Sequence, residues 1–415
     1  MFSKIREFGL DHCTLPNLIA NSCALLRFLS LNVDPTYKKN IPILCKLWTV
    51  FLALCYLYVY LISMIWFVFF KCAENGDLIS ATVMFATGMA SELSNIKLLY
   101  MFVYRKYLTN MISEYLIHDA KKVSNHRFMS NLLKVLRRVK KRAMIFWLII
   151  MGNGVVYMVK PLLLPGRHLM EDMDYLFGLD PILETPNYEI AFFLSLGAVI
   201  FACHGTATVS TFLIIVSGYI EAQMISLSEE LLNIWDDAQE YYENIINTAP
   251  CTGNSEDLRR NKEIILNKYV KEHLQDIVAN HAVYINFRFQ IENVFRSAIA
   301  IGFGFLTVSL ISEFFGGIEN TYLVLPYAMV QVIIDCIIGQ KLSDSGDVFQ
   351  KAVYESKWEN FDATNMKTVK MILMISQKGM TLSVGGLKPL NYFCLMNVFR
   401  MIYSTYAALT SAVKH

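Results

Sequence analysis

The sequence predicts an all-α, polytopic membrane protein with seven transmembrane helices, a cytoplasmic N-terminus and an extracellular C-terminus. Three observations predict this fold. The 415 residues are 55% hydrophobic and only 17% charged, with a mean hydropathy of +0.39, whereas soluble proteins carry roughly 25% charged residues. The apolar residues gather in seven runs, and most of the basic residues gather in the loops on one side of those runs.

Each apolar run reaches or comes close to the roughly 20 residues that a helix needs to cross the hydrocarbon core of a bilayer. The second run is interrupted by Glu92, Asn95 and Lys97, and ionisable residues within a membrane helix usually face protein or a water-filled cavity. The predicted spans, in order, are 41–70, 78–104, 143–164, 190–219, 294–315, 322–339 and 392–413.

The charges flanking the spans predict their orientation. Eleven Lys and Arg residues lie between spans two and three, against only Glu114 and Asp119, while acids outnumber Arg167 between spans three and four. The N-terminal segment and the loop before span seven are also basic. Basic loops stay in the cytoplasm, and these three regions lie on the cytoplasmic side only if the N-terminus is cytoplasmic.

This orientation separates the chain from two other classes of membrane protein. A G-protein-coupled receptor has an extracellular N-terminus, and the chain lacks Asp-Arg-Tyr after span three and Asn-Pro-x-x-Tyr in span seven. Transporters commonly contain inverted repeats with paired broken helices, and seven spans do not divide into two equal halves. Both readings are therefore disfavoured.

The sequence gives no support for an enzyme, a metal site or a nucleic-acid-binding protein. Nine cysteines show no CxxC or other metal spacing, and no HExxH, GxSxG or phosphate-binding glycine motif occurs. The 37 basic residues nearly balance the 35 acidic ones. The basic run 134–142 adjoins a span, where it is expected to meet anionic lipid headgroups. We therefore expect no cofactor and no nucleic acid, and count membrane lipid as a partner.

The connections between the spans differ in composition and in predicted structure. The outer loop 161–189 is rich in Pro, Gly and acids, and is expected to form a lid over the outer face. On the cytoplasmic side, 221–292 has helical spacing of apolar residues, interrupted by a turn cluster at 249–254. An amphipathic helix is predicted at 364–378, ending at Gly379. Spans four and five are thus predicted to continue into the cytoplasm as long helices.

The second half of the chain carries a series of short motifs, most of them in the C-terminal third. Gly218-Tyr219-Ile220-Glu221-Ala222-Gln223 follows span four. The later motifs are Gly339-Gln340-Lys341-Leu342-Ser343, Val353-Tyr354-Glu355-Ser356-Lys357-Trp358, Ile375-Ser376-Gln377-Lys378, Gly385-Gly386-Leu387-Lys388-Pro389-Leu390 and Tyr403-Ser404. This order resembles the insect odorant receptor family.

The resemblance implies a ligand-gated, non-selective cation channel that binds a small volatile odorant. Members of the family assemble as tetramers, usually of ligand-tuned subunits with a common co-receptor, in the plasma membrane of olfactory sensory neuron dendrites. This chain lacks the longer loop of the co-receptor between spans four and five, so it resembles a tuning subunit. The related gustatory receptors remain an alternative, although Ala412-Val413 stands where their Gln-Phe pair is expected.

With the resemblance, the chain divides into four predicted regions. Residues 1–40 form a cytoplasmic N-terminal segment, and 41–340 form a six-helix membrane bundle with the ligand pocket and the long cytoplasmic helices of 221–292. Residues 341–390 form a cytoplasmic anchor segment. Helices four to seven are implied to extend into the cytoplasmic anchor region, which holds the tetramer together. Residues 391–415 form the pore-lining last helix and a short extracellular tail.

The resemblance places the odorant pocket in the outer half of spans two to five. Such a pocket needs aromatic and aliphatic walls with few polar groups, and Tyr157 and His204 can each hydrogen-bond a carbonyl or hydroxyl. Taken singly, each residue at that depth is also compatible with ordinary helix packing, and Glu92 with a hydrogen bond between helices. The candidates are Phe85, Met89, Glu92, Gly154, Tyr157, Met158, Phe201, His204, Ile301 and Phe305.

The resemblance also places the gate on the last span. Leu409 and Val413 are four residues apart and share one helical face, where a ring of apolar side chains can stop conduction by dewetting. Thr405, one turn earlier, can offer a hydroxyl to passing ions. Ordinary lipid-facing or packing roles remain open for all three residues.

Overall fold

The computed structural model describes residues 9–121, 126–248 and 255–414, and most of this chain is helical. Helices occupy all seven positions at which spans are predicted. The helices in chain order are α1 (Leu15–Arg27), α2 (Ile43–Asn75), α3 (Leu78–Val103), α4 (Arg105–Lys121), α5 (His126–Leu163), α6 (Asn187–Thr248), α7 (Ser255–Gly316), α8 (Ile318–Thr321), α9 (Val324–Tyr354), α10 (Ala363–Ser376) and α11 (Tyr392–Lys414).

Within the described residues, five of these helices are apolar and long enough to cross a membrane by length and composition alone: α2, α5, α6, α7 and α9. The helices at predicted spans two and seven, α3 and α11, have 26 and 23 residues. Their length therefore suffices for a crossing, but they are more polar. Glu92 and Lys97 interrupt α3, and Arg400 lies on α11.

The two longest helices extend far beyond their predicted spans. α6 and α7 contain 62 residues each, so each is roughly 90 Å long, about three times the hydrocarbon thickness. The predicted helical character of 221–292 is confirmed on both sides of the predicted turn, and that turn at 249–254 lies outside the described residues. α9 likewise runs without a break through residue 341, where the anchor segment is predicted to begin.

The extended ends pack together at the predicted cytoplasmic side. Arg127 on α5 binds both Glu230 and Asp237 on α6, with N···O distances of 2.8 and 2.6 Å. The ring centroids of His281 on α7 and Phe349 on α9 are 4.4 Å apart. Burial lowers the pKa of His281 to about 4, so this imidazole is neutral at physiological pH. The predicted amphipathic helix is present as α10.

A two-stranded hairpin leads into the last helix. β1 (Ser383–Val384) pairs antiparallel with β2 (Lys388–Pro389), and the turn between them contains Gly385 and Gly386 at φ +64° and +79°. Side-chain-bearing residues rarely adopt this conformation, so the glycine pair suits the turn. The Gly385 N–H donates to the Arg296 carbonyl of α7 at 3.1 Å, which fixes where α11 begins.

The N-terminal segment forms an element that the sequence analysis does not predict. α1 begins with Pro16 in its first turn, a position that suits proline because the missing N–H would have no helical partner there. Its apolar face is buried, with Leu18 and Leu26 at most 1% exposed. α1 packs against α6, so this segment is part of the helix bundle.

Candidate ligand site

A small cavity lies in the outer half of the bundle, where α2, α3, α5 and α6 meet the start of α9. Its volume is about 40 Å³. The wall is mostly apolar, with a few hydroxyl and amide groups, which is the composition of pockets that bind small organic molecules. The lining residues are Tyr60, Thr87, Ser91, Asn153, Gly154, Tyr157, Val199, Ala202, Cys203, Leu323, Val324 and Tyr327.

Most polar groups of this wall already have protein partners. The Asn153 side-chain amide donates to the Leu323 carbonyl at 3.0 Å, and the hydroxyls of Tyr327 and Thr206 are 2.6 Å apart. The Tyr60 hydroxyl has no hydrogen-bond partner among the residues that the structure describes. It is therefore the group best placed to bind a carbonyl or hydroxyl of a ligand.

Gly154 sets the width of the cavity between α5 and α6. A Cβ atom at this position would lie 2.7 Å from the Cys203 Sγ, closer than real Cβ atoms approach, and 3.1 Å from the Cys203 Cβ, which is a tight contact. Because glycine has no side chain, the two helices can approach closely here, beside the cavity.

The outer loop covers the cavity, as its composition predicts. Glu171 from this loop reaches down between the helices, where Tyr157 donates its phenolic hydrogen to the carboxylate and Thr87 donates from 3.3 Å. Around it, Leu169, Met170, Tyr175 and Leu176 are at most 2% exposed. Burial raises the pKa of Glu171 to about 7, so this carboxyl titrates near neutrality.

Further contacts anchor the lid to the bundle. The Tyr175 hydroxyl lies 2.7 Å from the Ser195 hydroxyl of α6, Lys71 donates to the Asp174 carbonyl at 2.8 Å, and Tyr58 donates to the Phe177 carbonyl. The lid is therefore held by α2 and α6 as well as by the groups on the cavity wall.

The structure brings only part of the predicted ligand set together. Gly154 and Tyr157 line the cavity. Phe85 instead lines a separate crevice between α2 and α3, beside Val68 and Asp77. The other seven predicted residues lie outside the cavity wall: Met89, Glu92, Met158, Phe201, His204, Ile301 and Phe305.

Three of these residues have identifiable other roles. Glu92 accepts a hydrogen bond from Tyr56 at 2.8 Å, which joins α3 to α2. His204 lies 3.3 Å from the Leu25 carbonyl and holds α1 against α6. Ile301 is 47% exposed on the outside of α7. Helix rotation decides these positions, since neighbouring residues on a helix point about 100° apart.

Residues from spans one and six were not in the predicted set, yet they form part of the wall. Tyr60 lies in a π-helical segment of α2, Leu57–Ser63, and Tyr327 lies near the start of α9. One sequence signal was available on α3, where Thr87 and Ser91 are four residues apart and so share a helical face. Hydroxyls on one face of an otherwise apolar span indicate a cavity with some polar groups in its wall.

A buried ion pair lies deeper in the bundle, towards the predicted inner side. The Lys97 ammonium of α3 contacts both oxygens of Asp335 on α9 at 2.7 and 2.6 Å, and the two side chains are 1% and 0% exposed. Because an unpaired charge is costly in such surroundings, this pair fixes α3 against α9. It accounts for Lys97 within predicted span two.

The last helix, α11, packs against the rest of the chain through one face. Val398 and Ile402 are buried, and the Tyr406 ring packs 5.3 Å from that of Phe315 on α7. Thr405 is half-buried and Leu409 is 44% exposed, both on the continuation of the packed face. The Val413 side chain lies outside the described residues. The arrangement leaves most of the opposite face of α11 exposed.

Comparison with known proteins identifies the fold and the family. A family model described as "7tm Odorant receptor" matches residues 74–403. Odorant receptor 30a of Drosophila melanogaster is 32% identical over 96 residues, which cover 22% of this chain and 25% of that receptor.

The insect olfactory receptor OR5 from Machilis hrabei has the same fold. Its structure matches with a TM-score of 0.73 at 14% identity, over 94% of this chain and 97% of OR5. Its complex with eugenol matches with a TM-score of 0.72 at 13% identity, over 95% and 97% of the two chains. The seven-helix membrane fold predicted from the sequence is thus confirmed. With a receptor-family model matching most of its length, this chain belongs to the 7tm odorant receptor family.

Proposed function

We propose that this receptor is a subunit of an odorant-gated, non-selective cation channel, and that the cavity beneath the Glu171 lid is its odorant site. The observation that carries the proposal is the cavity itself: an apolar wall, a cover from the outer loop, and the Tyr60 hydroxyl without a partner among the described residues. A small, mostly apolar molecule with one carbonyl or hydroxyl fits this chemistry. The solved complex of OR5 with eugenol supports a ligand of comparable size.

The small volume indicates how binding is coupled to movement. A space of about 40 Å³ holds a water molecule or two, so an odorant must push the walls apart. Leu323, Val324 and Tyr327 at the start of α9 form one of these walls. A ligand that binds the expanded state better than the closed one shifts the population towards it.

α9 also provides the connection to the last helix. At its inner part, the Gln340 side chain accepts a hydrogen bond from the Tyr392 backbone N–H at 3.1 Å. α7 contacts α11 through Phe315 and Tyr406. The Gln340 contact lies inward of the Lys97–Asp335 pair, so it holds the base of α11 in place. A displacement of the outer end of α9 therefore acts on the outer part of α11 through α7, which packs against both helices. α11 lines the pore in this proposal.

In the assembled channel, Leu409 and Val413 form the apolar constriction, and Thr405 lies one turn below. α11 contains no acidic residue, so a strongly selective ring of carboxylates is not expected. The partners are an odorant, a co-receptor subunit in a tetramer and the surrounding lipid, in the dendrite membrane of olfactory sensory neurons.

Electrophysiology tests the function. The chain is expressed with and without an insect odorant co-receptor, an odorant panel is applied, and whole-cell current is recorded with and without intracellular GTP. We expect a rapid cation current that persists without GTP. A current that requires GTP would contradict the channel proposal and favour a metabotropic receptor.

Cysteine substitution tests the pore surface. A charged thiol reagent applied from outside during odorant stimulation is expected to block current through Leu409→Cys. Ala407→Cys serves as the matched control, because Ala407 is exposed on the opposite face of the same helix. Block of Ala407→Cys with no effect on Leu409→Cys would place the pore on the other face of α11.

A further inference from the structure

A second and larger cavity lies between the N-terminal helix and the inner halves of α5 and α6. Its volume is about 270 Å³, and its walls include Leu18 and Leu25 of α1, Trp147 of α5 and Ile215 of α6. Trp147 precedes the outer-cavity residue Tyr157 by ten positions on α5, which corresponds to roughly 15 Å along the helix. The two cavities are therefore separate sites on the same pair of helices.

Three buried polar atoms on this wall have no hydrogen-bond partner within the described part of the chain: the Asn21 amide nitrogen, the Trp147 indole nitrogen and the Thr211 hydroxyl. Thr211 is only 6% exposed. Unsatisfied polar atoms are uncommon in native interiors because each loses its hydration without compensation. Three of them around one cavity point to a ligand that supplies the missing partner. Two are N–H donors, so that ligand carries a hydrogen-bond acceptor.

The cavity is bordered by residues that face the membrane. Met144 and Leu148 on α5 line it and are themselves exposed, and they lie at the inner end of predicted span three. A ligand can therefore enter from the hydrocarbon of the inner leaflet. Its body must be apolar, since almost all of the remaining wall is aliphatic.

The charges near the cavity indicate a neutral ligand. Lys140 lies at its inner edge, but its ammonium donates to the Gly9 and His12 carbonyls at 2.7 and 2.8 Å. The three unpartnered atoms are uncharged. A carboxylate or phosphate would lose its hydration, and the cation on the wall, Lys140, already shares its N–H groups with two carbonyls.

We propose that this inner cavity is a second ligand site, which binds a neutral single-chain lipid with an ester or hydroxyl head. The head accepts hydrogen bonds from Asn21 and Trp147 and exchanges one with Thr211, while the chain extends between Met144 and Leu148 into the bilayer. The bound lipid fills the space between α1 and α6, the same α6 that lines the outer cavity through Val199 and Cys203. The site thus adds a membrane-derived ligand to the odorant.

Photolabelling of the purified full-length chain tests this site without relying on channel opening. The probe is a monoacylglycerol that carries a diazirine and an alkyne in its acyl chain, and labelled peptides are located by mass spectrometry. We expect labelling within residues 140–148 or 211–215. Excess unlabelled monoacylglycerol is expected to compete, and the fatty acid of equal length to compete at least about tenfold less well.

Three variants and one control sharpen the result. Thr211→Val and Trp147→Phe each remove one hydrogen bond and should weaken labelling about threefold to tenfold. Ala143→Phe fills the cavity, which Ala143 lines, and should abolish labelling. Thr208→Val is the matched control, because this hydroxyl on α6 is bonded to its own helix at the His204 carbonyl.

Labelling that is confined to the outer cavity would overturn the proposal. So would labelling that Thr211→Val and Trp147→Phe leave unchanged, even if Ala143→Phe fails to fold. Equal competition by the fatty acid would overturn the neutral head group.

Discussion

The outer and inner halves of the helix bundle are built in different ways. The outer half contains a small apolar cavity closed by a loop, with Tyr60 facing it and Glu171 covering it. The inner half contains the Lys97–Asp335 pair, at most 1% exposed, and the Arg127 contacts with Glu230 and Asp237. Apolar walls without charge pairs can separate at small cost, whereas separating a buried charge pair costs several kcal/mol. Odorant-driven movement is therefore expected in the outer half, with the inner half as a fixed frame.

The largest expected effect comes from breaking the buried Lys97–Asp335 ion pair of the inner half. Lys97→Met leaves the Asp335 carboxylate buried without its partner and should destabilise the fold by about 3–5 kcal/mol. Thermal unfolding of the purified protein measures the loss. The double variant Lys97→Met with Asp335→Leu should recover most of the stability, because apolar pairs often replace buried ion pairs without cost.

Lys106→Met provides the control for that experiment, because Lys106 is an exposed lysine and its loss should leave the unfolding temperature unchanged. If Lys97→Met unfolds at the wild-type temperature, the pair does not hold α3 to α9 and the contrast between the two halves fails.

A second prediction concerns a substitution that narrows the outer cavity. Gly154→Ala places a Cβ 2.7 Å from the Cys203 Sγ, and overpacking of this kind costs about 1–3 kcal/mol. The odorant concentration for half-maximal current should rise about tenfold or more. Cys203→Ala in the same chain removes the 2.7 Å contact with sulfur and leaves only the 3.1 Å contact with the residue 203 Cβ, so it should restore much of the response. If the double variant does not recover, contact with Cys203 is not the reason that position 154 requires glycine.

A third prediction concerns the hydroxyl in the cavity. Tyr60→Phe removes one hydrogen bond to the ligand and should raise the half-maximal concentration about threefold to tenfold for odorants with a carbonyl or hydroxyl. Responses to hydrocarbon odorants of equal size should stay the same. Equal losses for both classes would show that Tyr60 contributes shape and no hydrogen bond.

The smallest expected effect is a pH dependence of the lid. The pKa of Glu171 is raised from 4.5 to about 7 by burial, so the closed lid favours the protonated carboxyl. Protonation of Glu171 therefore stabilises the closed lid fully below pH 4.5, and this stabilisation is lost as the pH rises through 7. Odorant sensitivity should change across this window and not above it. In Glu171→Gln, which cannot titrate, the half-maximal odorant concentration read from dose–response curves should not change with pH over the same range.

The helices were predictable from the sequence because a membrane crossing demands about 20 apolar residues, whatever surrounds them. The cavity wall was less predictable because it depends on rotation about each helix axis. Gly154 and Tyr157 line the cavity, whereas the adjacent Met158 does not. Phe85 and Ile301 have the right depth and chemistry but face other surroundings.

Two further features depend on contacts distant in the sequence. Lys97 and Asp335 are 238 residues apart, and no local pattern indicates that they pair. α1 does carry a local signal, with Pro16 at its start and an apolar face that includes Leu15, Leu18 and Ile19. Its partner surface on α6 became apparent only in the folded chain.

The central claim is that an odorant binds in the outer cavity, against Tyr60 and Tyr327 and beneath Glu171. A cryo-electron-microscopy structure of the purified receptor with an odorant that opens it tests this claim most directly. The account predicts ligand density between α2, α5 and the start of α9, with α9 displaced from α5 and the Lys97–Asp335 pair unchanged. Ligand density in the crevice beside Phe85, or in the inner cavity beside Trp147, with an unchanged outer cavity would contradict it.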